Sequence, residues 1–151
     1  AIQPDGHVYG NRYAFSAYAN DFVALSSVDP DYFALFNDVT DPYNLINNSG
    51  IFVAPRTGLY FFSTSLTFAN GNGADDTMYM GFSVDSNTTL LSQITINPRA
   101  LTSSGVEHSY SYTMVLSLTQ GQTVRVLVKN ISTTSPVDVT DRTFTGYYLG
   151  E

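Results

Sequence analysis

Cysteine and tryptophan are both missing from the 151 residues. Without Cys there is no disulfide, no thiolate nucleophile and no Cys-ligated zinc, so packing alone must hold the core. A chain of this length buries enough surface to manage that. Basic residues are scarce: six Lys and Arg face 13 Asp and Glu, a net charge of −7. Nucleic acid and anionic membranes are bound through basic patches, so neither is an expected partner. No apolar run approaches the ~20 residues of a membrane-spanning helix. The G-x-S-x-G elbow, the P-loop and H-E-x-x-H are all absent. His7 and His108 are the only histidines, one in the arm and the other in a polar segment, and neither has a Cys to pair with. No enzyme activity is expected, and no required cofactor. The first residue is Ala1 and no signal-like apolar stretch follows it, so the expectation is a processed or trimmed product.

Aromatic residues dominate what is present. Eleven Tyr and ten Phe, together with many Ser and Thr, favour strands. An apolar content of 43% is that of a folded chain. No window repeats at a fixed period, which excludes a solenoid or propeller. From Tyr13 onward the apolar period is two. Tyr60, Phe62, Leu66 and Phe68 share one face of a strand over Leu59–Phe68, broken only by Thr64, and Ser63, Ser65 and Thr67 take the other face. Met78, Met80, Phe82 and Val84 alternate in the same way, as do Tyr110, Tyr112, Met114, Leu116 and Leu118, and Val124, Val126 and Val128. Shorter runs lie at Tyr13–Ala19, Tyr32–Phe36, Gly50–Val53, Leu90–Ile96 and Thr143–Leu149. Turn signals such as Asp41-Pro42, Asn97-Pro98 and Gln120-Gly121 separate them. Nine or ten short strands without an amphipathic helix describe an all-β sandwich or jelly roll.

The segment Gly50–Phe62, GIFVAPRTGLYFF, resembles the core motif of the complement C1q globular head, G-x-F-x-x-P-x-x-G-x-Y-x-F. Gly50, Phe52, Pro55, Gly58, Tyr60 and Phe62 fill all six places. AFSA at Ala14–Ala17 looks like the family's first strand. ALFNDVTDPYN at Ala34–Asn44 looks like its second strand and following loop, with Phe36 the inward aromatic. LSLTQGQTVRV at Leu116–Val126 resembles the L-x-L-x-x-G-D-x-V turn, with Gln122 in place of the Asp. TFTGYYL at Thr143–Leu149 resembles the closing strand, F-S-G-F-L-L. The tumour necrosis factor ligands share the architecture, but the closing strand and the aromatics Phe15 and Phe36 are more similar to the complement type. The resemblance implies a ten-stranded jelly roll of the C1q/TNF-like type over residues 13–151, preceded by an arm or stalk remnant at 1–12. It further implies a secreted homotrimer. Its function would be that of a lectin or pattern-recognition protein of innate immunity, binding glycans or microbial surface molecules. The alternative is a cerebellin-like or adiponectin-like ligand for a protein receptor or the matrix. Phe52, Tyr60, Phe62, Phe82, Leu116, Val124 and Phe144 are the expected core.

Sugars are held by stacking on aromatic faces and by hydrogen bonds, and an acidic sugar needs the planar fork of Arg. Tyr79, Arg99, His108 and Arg56 are the ligand-binding candidates, with Tyr43 and Tyr110 as further loop aromatics. His108 reads as part of a polar turn. Three N-x-[ST] sequons, at Asn47, Asn87 and Asn130, are surface acceptors if the chain enters the secretory route.

The loop Asn70–Asp76, NGNGADD, carries adjacent carboxylates at Asp75 and Asp76. Two such groups repel, and Ca²⁺, which takes hard oxygen ligands, relieves the repulsion. Calorimetry with Ca²⁺ should therefore give binding heat on the wild type and none on the Asp75→Asn, Asp76→Asn variant. Equal heats from both would remove the loop as a calcium site.

Overall fold

The computed structural model describes residues 13–25, 31–69, 77–96, 107–131 and 137–151. Eleven strands occur among them: β1 (Ala14–Ala19), β2 (Val23–Leu25), β3 (Asp31–Phe33), β4 (Asp38–Thr40), β5 (Phe52–Val53), β6 (Gly58–Ala69), β7 (Met78–Val84), β8 (Ser92–Ile96), β9 (Glu107–Leu118), β10 (Thr123–Asn130) and β11 (Val137–Gly150). One sheet runs β4-β1-β11-β6-β9, with β2 also on β11; the other runs β3-β10-β7-β8, with β5 also on β10. Every pairing is antiparallel. The all-β jelly roll expected from the alternation is the observed fold.

All nine period-two runs contain a strand. The Tyr32–Phe36 run is strand only through Phe33, after which the Ala34 amide still donates to the Val126 carbonyl at 3.0 Å. β2 and β4 carry no sequence signal, because three residues are too few to show alternation. Each β4 residue is exposed, and β4 terminates its sheet.

The space between the sheets is filled with aromatic rings. Phe144 of β11 lies at their centre, 4.9 Å from Phe15 and 5.9 Å from Phe36, Phe62 and Phe82. Phe52 stacks on Phe15 and meets Phe62 edge-on. All seven expected core residues are buried. Thr64, the polar interruption on the inner face of β6, is fully buried and donates its hydroxyl to the Thr143 carbonyl at 2.8 Å. That bond meets the cost of burying a hydroxyl.

Two motif glycines have specific reasons. Gly50 has φ +73°, a region that side chains rarely adopt, and a Cβ there would strike the Ala34 carbonyl. Gly146 lies under two rings, so that a Cβ would sit 2.7 Å from both Phe15 and Phe62.

β11 changes phase midway. Val137 and Val139 are buried, a bulge intervenes before Arg142, and Phe144 and Gly146 then face inward. The bulge coincides with the break between β1 and β2. Arg142, only 2% exposed, fills the gap. Its guanidinium donates to the Leu35 carbonyl (3.0 Å), the Asp21 carbonyl (2.6 Å) and carboxylate (2.8 Å), and the Thr140 carbonyl (3.1 Å). A buried charge is tolerable when it is hydrogen-bonded in this way.

Phe62→Ala should cost about 3–5 kcal/mol by leaving a cavity among the rings. Gly146→Ala should cost about 1–3 kcal/mol by overfilling the same space. Thermal melting of both variants checks the strand phase, and an unchanged midpoint in either would show the residue to face outward.

Candidate functional site

The outer face of the six-stranded sheet is assembled by register from distant parts of the chain. Ala14 pairs with Tyr147, Tyr147 with Phe61, and Phe61 with Val115, giving one apolar row across four strands. The Phe61 and Tyr147 rings are 4.9 Å apart. Leu59 and Leu149 extend the row, and Leu59, Val115, Tyr147 and Leu149 are 40–52% exposed. A groove of about 330 Å³ beside it is lined by Ala14, Tyr147, Tyr148 and Leu149. The next rows are hydroxylic: Ser16, Thr145, Ser63 and Thr113, then Tyr18, Thr143, Ser65 and Ser111. Ser65 and Thr143 share a 2.7 Å hydrogen bond, as do Thr67 and Ser109. From β1 to β9 none of these rows contains a charge; at the sheet edge, Asp38 of β4 stands opposite Tyr18. Carboxylates appear only towards the margins, where the Tyr18 hydroxyl donates to Asp141 at 3.1 Å.

The outer face of the five-stranded sheet is different. Register places Asp31, Lys129, Tyr79 and Thr95 in one row, and Lys129 donates to the Asp31 carboxylate at 2.8 Å. Further along β10, the Arg125 guanidinium lies 4.1 Å above the Phe33 ring and donates to the Ser49 carbonyl at 3.0 Å. Burial lowers the Arg125 pKa from its ordinary value.

Near the start of β1 and the end of β11, Arg56 pairs with Glu151 at 2.8 Å, and its guanidinium lies 5.1 Å above the Tyr148 ring. The hydrogen bond to Glu151 is the leading cause of its raised pKa. Both partners are well exposed, so the pair adds little stability. Beneath it, the Tyr60 hydroxyl donates to the Arg56 carbonyl at 2.6 Å. Burial pushes the Tyr60 phenol above its usual value.

A family model for the C1q domain matches residues 14–149. The chain belongs to the C1q domain family. Among solved structures, the globular domain of zebrafish complement 1qA protein superposes with a TM-score of 0.60 at 18% identity, covering 90% of this chain and 96% of that one. The crystal structure of murine APRIL gives a TM-score of 0.60 at 13% identity, covering 92% and 100%. These likenesses concern the fold. No curated protein matches the chain. As a C1q domain it is a recognition and ligand-binding module. Domains of this type generally form trimers and are generally extracellular. Among the described residues, no helix is long and apolar enough to cross a membrane.

The C1q fold does not gather the sequence-derived candidates. Tyr79 lies on the outer face of the five-stranded sheet, and Arg56 is engaged by Glu151 and Tyr148 at the start of β6. His108 is part of β9 rather than a turn: it pairs with Phe68 and is half-buried on the inward face. Tyr110 belongs to the same face and packs on Phe68. Tyr43 is a turn residue, edge-on to Tyr13 at 5.5 Å. Arg99, Asp75 and Asp76 lie outside the described residues, as do residues 1–12. Among the described residues, no cluster of three or more His, Asp or Glu could hold a metal. Asn130 is a correction to the reading of its sequon as a surface acceptor: it is 1% exposed and donates its amide to the Leu25 carbonyl at 2.8 Å. The uncharged sheet face was missed because its rows join residues up to 133 positions apart, as in Ala14 and Tyr147.

Tyr60 yields a pH prediction. Its folded pKa lies above the unfolded value of 10.0, so the fold holds the proton more tightly. That contribution is complete below pH 10.0 and is lost as pH rises through the folded pKa. Urea midpoints should fall above that pH, and Tyr60→Phe, which keeps the ring, should fall less steeply. Parallel curves for the two proteins would remove Tyr60 as the cause.

Proposed function

We propose that this chain is the head of a secreted, non-enzymatic recognition protein that assembles as a homotrimer and binds glycans of microbial or host surfaces. The carrying observation is the uncharged outer face of the six-stranded sheet. Copies that each bear −7 repel one another, and they can meet closely only where charge is absent. Interface cores are depleted of charge and enriched in aromatic residues, as is the row of Ala14, Tyr147, Phe61 and Val115. An exposed apolar row of this kind supports a self-associating surface. Tyr147 presents its ring to that face. Tyr148 points the other way, packing 5.1 Å from Tyr60.

Glycan recognition goes to the other sheet in this reading. Tyr79 offers an aromatic surface flanked by Lys129 and Thr95, with Asp31 one strand beyond Lys129, the mixture of stacking and hydrogen-bonding groups that a sugar uses. One shallow site binds weakly. Three on a rigid trimer can raise avidity over single-site affinity by about 10²–10⁴. Neutral sugars fit best, since the net charge of −7 repels acidic ones at long range.

Light scattering should report three times the 16.5 kDa chain mass, and Tyr147→Asp should give monomers. A wild-type monomer at micromolar concentration would end the trimer reading. On a glycan array, Tyr79→Ala should lose most of the signal with its melting temperature unchanged. If the wild-type trimer binds no glycan at high density but a defined protein receptor binds it, the receptor-ligand alternative takes its place.

A further inference from the structure

The three sequons fall into two environments, and this difference separates their chemistry. At Asn47 the side-chain Oδ1 accepts the amide of Ser49, the sequon hydroxyl residue, at 2.9 Å, and that of Ile51 at 3.0 Å. At Asn87 the Oδ1 accepts the amide of Thr89, again the sequon hydroxyl residue, at 2.9 Å. Both asparagines are exposed, and no described residue bonds either Nδ2. Each side chain is therefore held by its oxygen with the nitrogen directed away, an Asx turn closed on the sequon itself.

Both turns are rigidly anchored. The Gly50 amide donates to the Asn47 carbonyl at 3.0 Å, and the Asn47 amide to the Ile51 carbonyl at 3.0 Å. The Asn87 amide donates to the Val84 carbonyl at 3.2 Å, and the Ser83 hydroxyl to the Asn87 carbonyl at 2.5 Å. Their neighbours Val53 and Val84 pair with Thr123 and Val124. Both sequons thus belong to the five-stranded sheet, at the end where β10 begins. Asn130 closes β10 at its other end, opposite Met78, with its amide bonded to Leu25 inside the molecule.

We propose that Asn47 and Asn87 are N-glycosylation sites and that Asn130 is not. The assignment rests on the secretory part of the function proposed above. The donor is a lipid-diphosphate-linked oligosaccharide. The Asn Nδ2 forms a bond to the anomeric carbon, the bond from that carbon to the diphosphate oxygen breaks, Nδ2 gives up one proton, and the lipid diphosphate leaves. Transfer to an emerging chain precedes folding. A sugar at Asn130 would then have to enter the interior, and a chain carrying it would not reach this structure. Sugars at Asn47 and Asn87 leave from the sheet that does not carry the uncharged face, so they leave self-assembly unobstructed.

The test is expression of the full chain behind a heterologous leader in a eukaryotic cell, which forces passage through the lumen whatever the native route. Exported protein is treated with peptide N-glycosidase in ¹⁸O-water, which labels each glycosylated Asn as it becomes Asp. Label is expected at positions 47 and 87 and not at 130. Asn47→Gln and Asn87→Gln should each remove one glycan mass step. Asn130→Ala should remove none but lower the melting temperature. Label at 130 in folded protein, or a bare Asn47 or Asn87, overturns the assignment of that site. Oligomeric state is read before and after glycan removal. A trimer both ways supports the placement, and a trimer only after removal overturns it. A monomer both ways ends the trimer reading, while the sites stand or fall on the label.

Discussion

Phe144 is the residue on which the two sheets converge. Its ring contacts Phe15 from the neighbouring strand, Phe36 from the β3–β4 connection, Phe62 from the other neighbour and Phe82 from the opposite sheet. Aromatic rings bury large areas and prefer edge-to-face or offset contacts, so each fixes the orientation of the next. That constraint accounts for the glycine at 146, where rings from two strands occupy the space a methyl group would need. It also accounts for the threonine at 64. The hydroxyl there is held by the backbone of the strand that carries Phe144. A protein without cysteine gets its uniqueness from this interlock.

With the interior settled by rings, the two outer faces are free to differ. The six-stranded sheet presents hydroxyls and a band of exposed carbon with no charge across its middle. The five-stranded sheet presents Asp31, Lys129 and Arg125, with aromatic rings beside them. A residue on β6 or β11 cannot serve both the core and the outer surface, because side chains alternate. The bulge at Thr140–Asp141 resets that rule in mid-strand, and a second irregularity between Tyr148 and Gly150 does so at the end of β11. Past the bulge, Arg142 occupies an inward position beside the gap between β1 and β2 and ties the β1–β2 and β3–β4 connections to β11.

Much of this was legible from the period of two. Long strands such as β6, β7, β9 and β10 write their inner faces as apolar alternation, interrupted in β6 only by Thr64, and the seven expected core residues on them and their neighbours are buried. The phase change in β11 was also written, in Val137 and Val139 against Phe144, but it is visible only once the strand is followed back beyond Thr143. Short edge strands had no room to show a pattern. His108 reads as a turn because the residues before it are polar, while pairing with Phe68 draws it into β9. Only chemistry marks the candidate binding residues in the sequence, and chemistry does not say which strand lies beside which. Tyr79 acquires Lys129 and Thr95 as neighbours only through register, and so does Phe61 acquire Tyr147 and Val115.

The pairing of β1 with β11 has a mechanical consequence. Ala14 lies opposite Tyr147 and Ala19 opposite Arg142, so the first and last described strands enter and leave at one end of the molecule. Antiparallel hydrogen bonds run perpendicular to the strands. Tension applied between Tyr13 and Glu151 therefore opens the pair one bond at a time, like a zip, beginning at the bond between the Tyr148 amide and the Tyr13 carbonyl. Force entering through one of these ends and leaving through the opposite end of the sandwich loads the same bonds together, in shear. The domain is soft along one line of pull and stiff along the other.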